Sequence, residues 1–125
     1  MKFITKKCFC LINFYFLIGL CPYSKNDKVS VTFLNLDKFP IDIKRYDENW
    51  KEKLVKSRVY PENQYAHEVF FRQYFFFERS DSNQSLQASA NGVTADFFEG
   101  CRFKAEAGRP LTVRISRGIK LILFL

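Results

Sequence analysis

Hydrophobic and polar residues alternate along much of the chain after residue 28. Residues 29–34 (VSVTFL) and 41–44 (IDIK) both have a period of two, which is typical of strands with one buried face. Pro40 stands directly before the second run, where a strand tolerates a missing amide. We therefore predict two early strands, the second beginning after Pro40.

The middle of the chain contains a charged segment followed by an aromatic one. Residues 47–58 (DENWKEKLVKSR) predict a turn at 47–49 followed by a solvated edge strand, although the spacing of Trp50 and Leu54 also allows a short helix. Residues 65–79 (YAHEVFFRQYFFFER) contain no Gly or Pro. We expect them to form two strands, or one long bent strand, at the centre of the core.

The last third of the chain predicts a hairpin and two further strands. Asn91-Gly92 lies between two alternating runs and favours a type I′ turn, in which both central residues have positive φ. Alternation of Cys101, Phe103 and Ala105 predicts the next strand, and residues 111–115 (LTVRI) predict the last regular one.

About seven strands at spacings of about 8 to 12 residues, without a convincing helix, indicate an all-β fold. The expected fold is a small antiparallel β-sandwich, with a barrel as the alternative. A length of 125 residues allows one domain. The 15 Phe and 6 Tyr favour an aromatic, strand-rich core.

The amino terminus has the pattern of a signal peptide. Lysines precede the uncharged run 8–21 (CFCLINFYFLIGLC), and polar residues follow it. Because a spanning helix needs roughly 20 apolar residues, a cleaved leader over residues 1–24 fits better than an anchor. An uncleaved anchor and a buried core strand are the alternatives. We expect a secreted, extracellular protein, whose only contact with a membrane would be an uncleaved leader.

The remaining chain divides into a β-sandwich domain over residues 25–118 and an apolar tail over residues 119–125 (IKLILFL), which is either an extra strand or a sticky end. Removing residues 1–24 lowers the formal charge from +7 to +4 and leaves Cys101 as the only cysteine. We expect Cys101 to be a buried, reduced side chain, with pairing to another chain as the alternative. Asn83-Gln84-Ser85 is a glycosylation sequon in a predicted loop, so Asn83 would carry a glycan in the secretory pathway.

The residues that carry chemistry are few. His67 is the only histidine, so a nucleophilic triad or dyad would have to use it. One Cys and one His after leader removal do not supply a zinc site, and no glycine spacing matches a phosphate-binding or dinucleotide-binding loop. The aromatic-basic run 70–77 lacks the glycines of an RNA-binding strand. We expect no enzyme activity, no cofactor, no metal and no nucleic-acid partner.

The order of these landmarks resembles the β-domain of the von Hippel-Lindau tumour suppressor family. Residues 31–35 (VTFLN) are similar to the family's first strand, Val-x-Phe-x-Asn. Its later turn, its aromatic-histidine stretch and its Val-Asn strand correspond to residues 60–62, 67–76 and 90–97. The resemblance covers roughly residues 29–98 and implies a β-sandwich with a peptide-binding face.

The chain departs from this family at the positions that matter for its ligand. The family reads a hydroxyproline peptide through five side chains, which correspond here to Arg45, Val55, Glu68, Arg72 and Tyr74. Only the last of these keeps an aromatic ring, so the resemblance does not carry hydroxyproline recognition over to this chain. We also expect no ligase-recruiting helical domain, because the nearest match to its cysteine box, residues 97–105, alternates like a strand.

These observations predict a secreted or lumenal, non-catalytic module that binds a protein or peptide. The alternatives are an intracellular relic of a ubiquitin-ligase adaptor and a small secreted enzyme. If Phe70 and Phe76 fill the interior, Arg72 lies at the rim of the sheet, because burying an unpaired cation is costly. We therefore predict a rim site formed by Arg72 and Tyr74 with His67 nearby, suited to an acidic or polar peptide.

Overall fold

The computed structural model describes residues 27–70, 72–103 and 109–117. This part of the chain contains eight strands and no helix, so none of its segments is a helix able to cross a membrane. The strands are β1 (Lys28–Asn35), β2 (Ile41–Tyr46), β3 (Glu52–Val59), β4 (Gln64–Phe70), β5 (Phe75–Arg79), β6 (Gln87–Ala90), β7 (Val93–Ala95) and β8 (Leu111–Ser116). The predicted leader and the apolar tail over residues 119–125 lie outside the described residues.

The strands form two sheets, which confirms the predicted β-sandwich. One sheet has the order β4-β1-β8-β6-β7 and the other has the order β3-β2-β5. Strands β1 and β8 pair in parallel, whereas the other strand pairs are antiparallel. The charged segment contributes the edge strand β3, as predicted, and the aromatic segment forms two strands, β4 and β5.

The core between the sheets is built around Phe33 on β1. Its ring centroid lies 5.6 Å from that of Phe75, 5.4 Å from that of Phe77 and 5.8 Å from that of Phe98. All four rings are buried, and tilted or edge-on aromatic pairs add about 0.5–1.5 kcal/mol each beyond the burial of their area. Aliphatic side chains surround them, namely Val29, Val31, Ile41, Ile43, Val69, Val113 and Ile115.

A buried polar network closes one end of the sandwich. The Asn35 amide donates to the carbonyls of Phe39 and Val59 at 2.9 and 2.8 Å, and its oxygen accepts the Asp37 N–H at 2.7 Å. Asp37 in turn accepts two hydrogen bonds from Arg79, at 2.7 and 3.0 Å. Burial raises the pKa of Asp37, but the hydrogen bond and charge of Arg79 outweigh it and hold the pKa below its usual value.

The predicted hairpin at Asn91-Gly92 is confirmed. Strands β6 and β7 flank this pair, which has φ values of 49° and 81°. Both angles are positive, as a type I′ turn requires.

One prediction about an individual segment is wrong, and one condition is not met. Residues 101–103 form a turn and not a strand, because the Phe103 N–H bonds back to the carbonyls of Glu99 and Gly100, both at 3.2 Å. The condition placed on the aromatic segment, that Phe70 and Phe76 fill the interior, is not met: Phe75 is buried, whereas Phe70 is 36% exposed and Phe76 lies half-buried on the outer face.

The expected burial of Cys101 is wrong, because its side chain is only partly buried. In the full chain Cys101 is disulfide-bonded, whereas the reduced state was expected for the chain without residues 1–24 and stays a prediction.

Candidate ligand-binding groove

An open groove of about 420 Å³ lies beside the end of β2. Two segments line it, the end of β2 with the turn that follows and the connection between β4 and β5. The lining residues are Arg45, Tyr46, Asp47, Glu48, Trp50, Phe70, Arg72, Gln73 and Tyr74. We refer to this set as the aromatic groove.

Antiparallel pairing of β2 with β5 joins the two segments, since Arg45 is opposite Phe75. The backbone N–H of Tyr46 also donates to the carbonyl of Tyr74 at 3.2 Å. Along β2, Ile41 and Ile43 point into the core, so Tyr46 projects from the opposite face by the period of two. There its ring stacks on Phe76 at 4.7 Å.

A tight turn presents Trp50 to the groove. The Asp47 carboxylate accepts the N–H groups of Asn49 and Lys51 at 2.8 and 2.9 Å, and its backbone carbonyl accepts the N–H of Trp50 at 2.9 Å. The two bonds to the carboxylate lower the pKa of Asp47, the one from Lys51 most. Trp50 has a φ of 61°, in the left-handed region, and remains 49% exposed.

Three rings form the floor of the groove. The ring centroid of Tyr46 lies 5.8 Å from those of both Trp50 and Tyr74, and the Trp50 and Tyr74 centroids are 6.4 Å apart. Tyr74 also stacks on Phe97 at 4.5 Å, and its partial burial raises the pKa of its hydroxyl. Arg102 covers Phe97, with its guanidinium carbon 4.9 Å from the ring centroid. The floor is therefore an apolar surface braced from behind and open to solvent at Trp50.

Two arginines flank this floor. Neither Arg45 nor Arg72 forms a hydrogen bond or an ion pair with the described residues. The neighbouring Lys44, by contrast, is paired with Glu78 at 2.9 Å. The Arg72 segment is held by a local turn, in which Phe70 and Gln73 exchange two hydrogen bonds of 3.0 Å.

The predicted site residues separate into two groups. Arg72 and Tyr74 both line the groove, whereas His67 does not. His67 lies on β4, stacked on Tyr65 at 5.6 Å and edge-on to Phe75 at 6.1 Å. Burial lowers its pKa, and the charge of Arg45 lowers it further. His67 therefore lies within the electrostatic influence of Arg45 but outside the groove.

The other residues singled out in the sequence have different surroundings. Asn83 is exposed in the turn after β5, with a φ of 58°. Of the positions that the family resemblance matches to a peptide site, Val55 packs against the core and Glu68 is exposed on β4. Arg45 joins Arg72 and Tyr74 in the groove.

Sequence reasoning missed Tyr46 and Trp50 as site residues, and it reached Arg45 only through the family resemblance. The signal at Trp50 was that the single Trp of the chain lies in a charged turn, where few apolar neighbours are available to bury its ring. The signal at Tyr46 was its place on the polar side of an alternating strand.

The groove offers apolar contact and charge rather than a metal centre. Across residues 27–70, 72–103 and 109–117, no three His, Cys, Asp or Glu side chains are grouped closely enough to hold a metal ion. The sequence matches no protein-family model, and no curated protein is significantly similar to it. The resemblance to the von Hippel-Lindau β-domain therefore stays a prediction.

Proposed function

We propose that the protein is a secreted, non-catalytic binding module that holds a peptide segment of a partner protein in the aromatic groove. The observation that carries this proposal is the half-exposed Trp50, which lies against Tyr46 and Tyr74 with Arg45 and Arg72 beside them. Trp, Tyr and Arg dominate the binding energy of protein interfaces because they bury a large area and also form directed polar contacts.

The rigidity of the site supports the same function. Tyr46 stacks on Phe76 and Tyr74 on Phe97, so neither ring has to be ordered when a ligand binds. Preorganised rings lose little conformational entropy on association, which increases the affinity obtained from a small contact area. A groove of this size accommodates a few side chains of an extended peptide.

Photo-crosslinking tests this proposal. A benzoylphenylalanine at position 50 should form an adduct with a discrete extracellular protein, and tryptic mapping should locate the adduct within one segment of that protein. The matched control is the same probe at Tyr60, which is 51% exposed. Tyr60 follows Val59, which pairs with Ile41 at the start of β2, whereas the groove lies beside the end of β2. Equal labelling from both positions, or none from position 50, would contradict the proposal.

The secretory part of the proposal has its own test. Both Asn83 and Ser85 of the sequon are exposed, which supports access by the glycosyltransferase. Endoglycosidase treatment of secreted protein should increase its gel mobility, and Asn83→Gln protein should run at the treated position. Unchanged mobility would show that Asn83 carries no glycan, and it would not bear on the proposed binding site.

A further inference from the structure

We propose that the aromatic groove selects an acidic peptide segment, whose carboxylates pair with Arg45 and Arg72 while a neighbouring side chain packs against Trp50 and Tyr74. This inference rests on the proposed function, because it names the chemistry of the ligand at the same site. It is carried by the charge of the groove and by the hydrogen-bonding state of each charged group.

The acidic residues of the groove do not neutralise its arginines. The Asp47 carboxylate is occupied by the N–H groups of Asn49 and Lys51, and the Lys53 amine is 4.0 Å away from it. That leaves Glu48, an exposed side chain, as the one other carboxylate in the lining. Asp47 keeps its negative charge, and Lys53 and Arg45 both lie close enough to lower its pKa further. With Lys53 counted against Asp47, two guanidinium groups face one carboxylate, that of Glu48.

Further charges around the groove do not reverse this balance. Glu99 lies close enough to Arg72 for the arginine to lower its pKa, but burial raises that pKa by more. The carboxylate of Glu99 also accepts the N–H of Arg102 at 3.1 Å, and Glu99 does not line the groove. Arg102, which covers Phe97, adds a further positive charge beyond Tyr74.

Arginine suits this role for a geometric reason. The guanidinium group presents paired N–H donors that match the two oxygens of a carboxylate, and charge-assisted bonds of this kind are stronger than neutral ones. A ligand bound over the exposed face of Trp50 would also exclude water from the arginines, which strengthens each pair. Clusters of arginine beside aromatic rings are a recurring mode of acidic-motif recognition.

Titration with three synthetic pentapeptides tests the inference. Each has a central tyrosine, flanked by four glutamates, four glutamines or four lysines. Because Trp50 is the only Trp of the chain, its emission reports binding at the groove itself. We expect the glutamate peptide to bind at least about tenfold more tightly than the glutamine peptide, the lysine peptide to bind most weakly, and the difference to shrink with added salt.

Variants distinguish the contribution of the two groove arginines from that of the overall positive charge of the protein. Arg45→Gln and Arg72→Gln should each weaken the glutamate peptide about tenfold and leave the glutamine peptide within about twofold. Arg72→Lys should restore part of the loss, because it keeps the charge but not the paired donors. Arg114→Gln is the matched control, since Arg114 is an exposed arginine on β8 outside the groove. Thermal unfolding of each variant checks that it is folded.

The outcomes distinguish this inference from the proposed function. If the glutamate and glutamine peptides bind equally, acidic selection is wrong while binding at the groove stands. If no peptide changes the Trp50 emission although the probe at position 50 captures a partner, the ligand is not acidic and the inference is overturned. If the probe captures nothing, the proposed function itself fails.

Discussion

Asn35 determines how three separate segments meet at one end of the sandwich. Its side chain is fully buried and uses both donors and its acceptor on backbone groups. Its own N–H and carbonyl bond to Asn63 and Glu62 in the turn between β3 and β4. Asn35 thus forms hydrogen bonds with backbone groups of the loop after β1 and of β3. Burying these groups without a partner would be costly.

Replacing this side chain should destabilise the domain strongly. Asn35→Ala would leave the carbonyls of Phe39 and Val59 and the N–H of Asp37 without their partner, and we expect the free energy of unfolding to fall by roughly 2–5 kcal/mol. Urea denaturation measures this loss. Asn63→Ala, which removes an exposed side chain, should change it by less than about 0.5 kcal/mol. Equal effects would mean that the buried amide is not the cause.

His67 should make the stability depend on pH in a defined direction. Burial and the charge of Arg45 lower its pKa below the usual value of 6.5, and Glu68 acts against them. The unfolded chain therefore binds a proton more readily than the native one, so stability is complete above about pH 6.5 and falls as the pH decreases below it. Chemical denaturation between pH 5 and pH 7.5, where the carboxylates change little, measures this dependence.

The control for this prediction is His67→Gln, which cannot gain the charge. Other titrating groups, such as Glu99 with its raised pKa, are common to both proteins. The difference between the two stability profiles therefore isolates the histidine. Parallel profiles would show that the environment of His67 does not disfavour its protonated form.

At the scale of elements, local signals in the sequence predicted most of the fold correctly. The alternation in β1 and β2, the charged edge strand β3 and the Asn91-Gly92 turn are all present. Each of these depends on a period of two or on turn chemistry within a few residues, both of which the sequence contains directly.

The wrong predictions involve structure that depends on distant residues. No Gly or Pro marks the break between β4 and β5, and shifting a strand by one residue moves every side chain to the other face. The sequence therefore did not reveal that Phe75 and Phe77 point inward. The turn at residues 101–103 likewise depends on Phe103 packing against Phe98, at 5.0 Å, which outweighs the local alternation.

The Asn91-Gly92 turn allows a direct test of the hairpin. Gly92 has a φ of 81° and open space where a Cβ would lie, so the cost of a side chain there is backbone strain alone. We expect Gly92→Val to lower the free energy of unfolding by roughly 1–3 kcal/mol. Asn91→Gly should be nearly neutral, because the bond from Asn91 to the carbonyl of Phe103 is long, at 3.4 Å. Equal melting temperatures for the wild type and Gly92→Val would contradict this assignment.

At the scale of the whole molecule, the aromatic groove exists only because sheet pairing joins two distant segments. Arg72 and Tyr74 could be predicted because they lie in the aromatic run of the sequence. Arg45 was reached only through the family resemblance, and local signals marked Tyr46 and Trp50 as exposed without placing them beside Tyr74, since that depends on the pairing of β2 with β5. No local pattern contains that pairing, so the sequence predicted part of the site and not its shape.

The cysteines make the fate of the predicted leader measurable. The other cysteines of the chain are Cys8, Cys10 and Cys21, all within residues 1–24. In the full chain Cys101 is disulfide-bonded. If cleavage removes all three other cysteines, Cys101 loses every possible partner in its own chain, and a disulfide can then form only with another chain.

We expect the secreted protein to begin between about Cys21 and Lys25, because a lysine-rich start, a short apolar run and a polar exit are typical of a cleaved signal peptide. Cleavage after Cys21 would also leave Cys101 without a cysteine partner in its own chain. Intact mass under non-reducing conditions then distinguishes the expected single chain with a free thiol from an interchain disulfide, whose mass falls to that of one chain on reduction. A Cys101→Ser variant, as the control, should have the single-chain mass under both conditions. A secreted monomer that retains Met1 or Lys2 and gains two hydrogens on reduction would contradict the prediction, since it would combine an intact leader with a disulfide inside one chain.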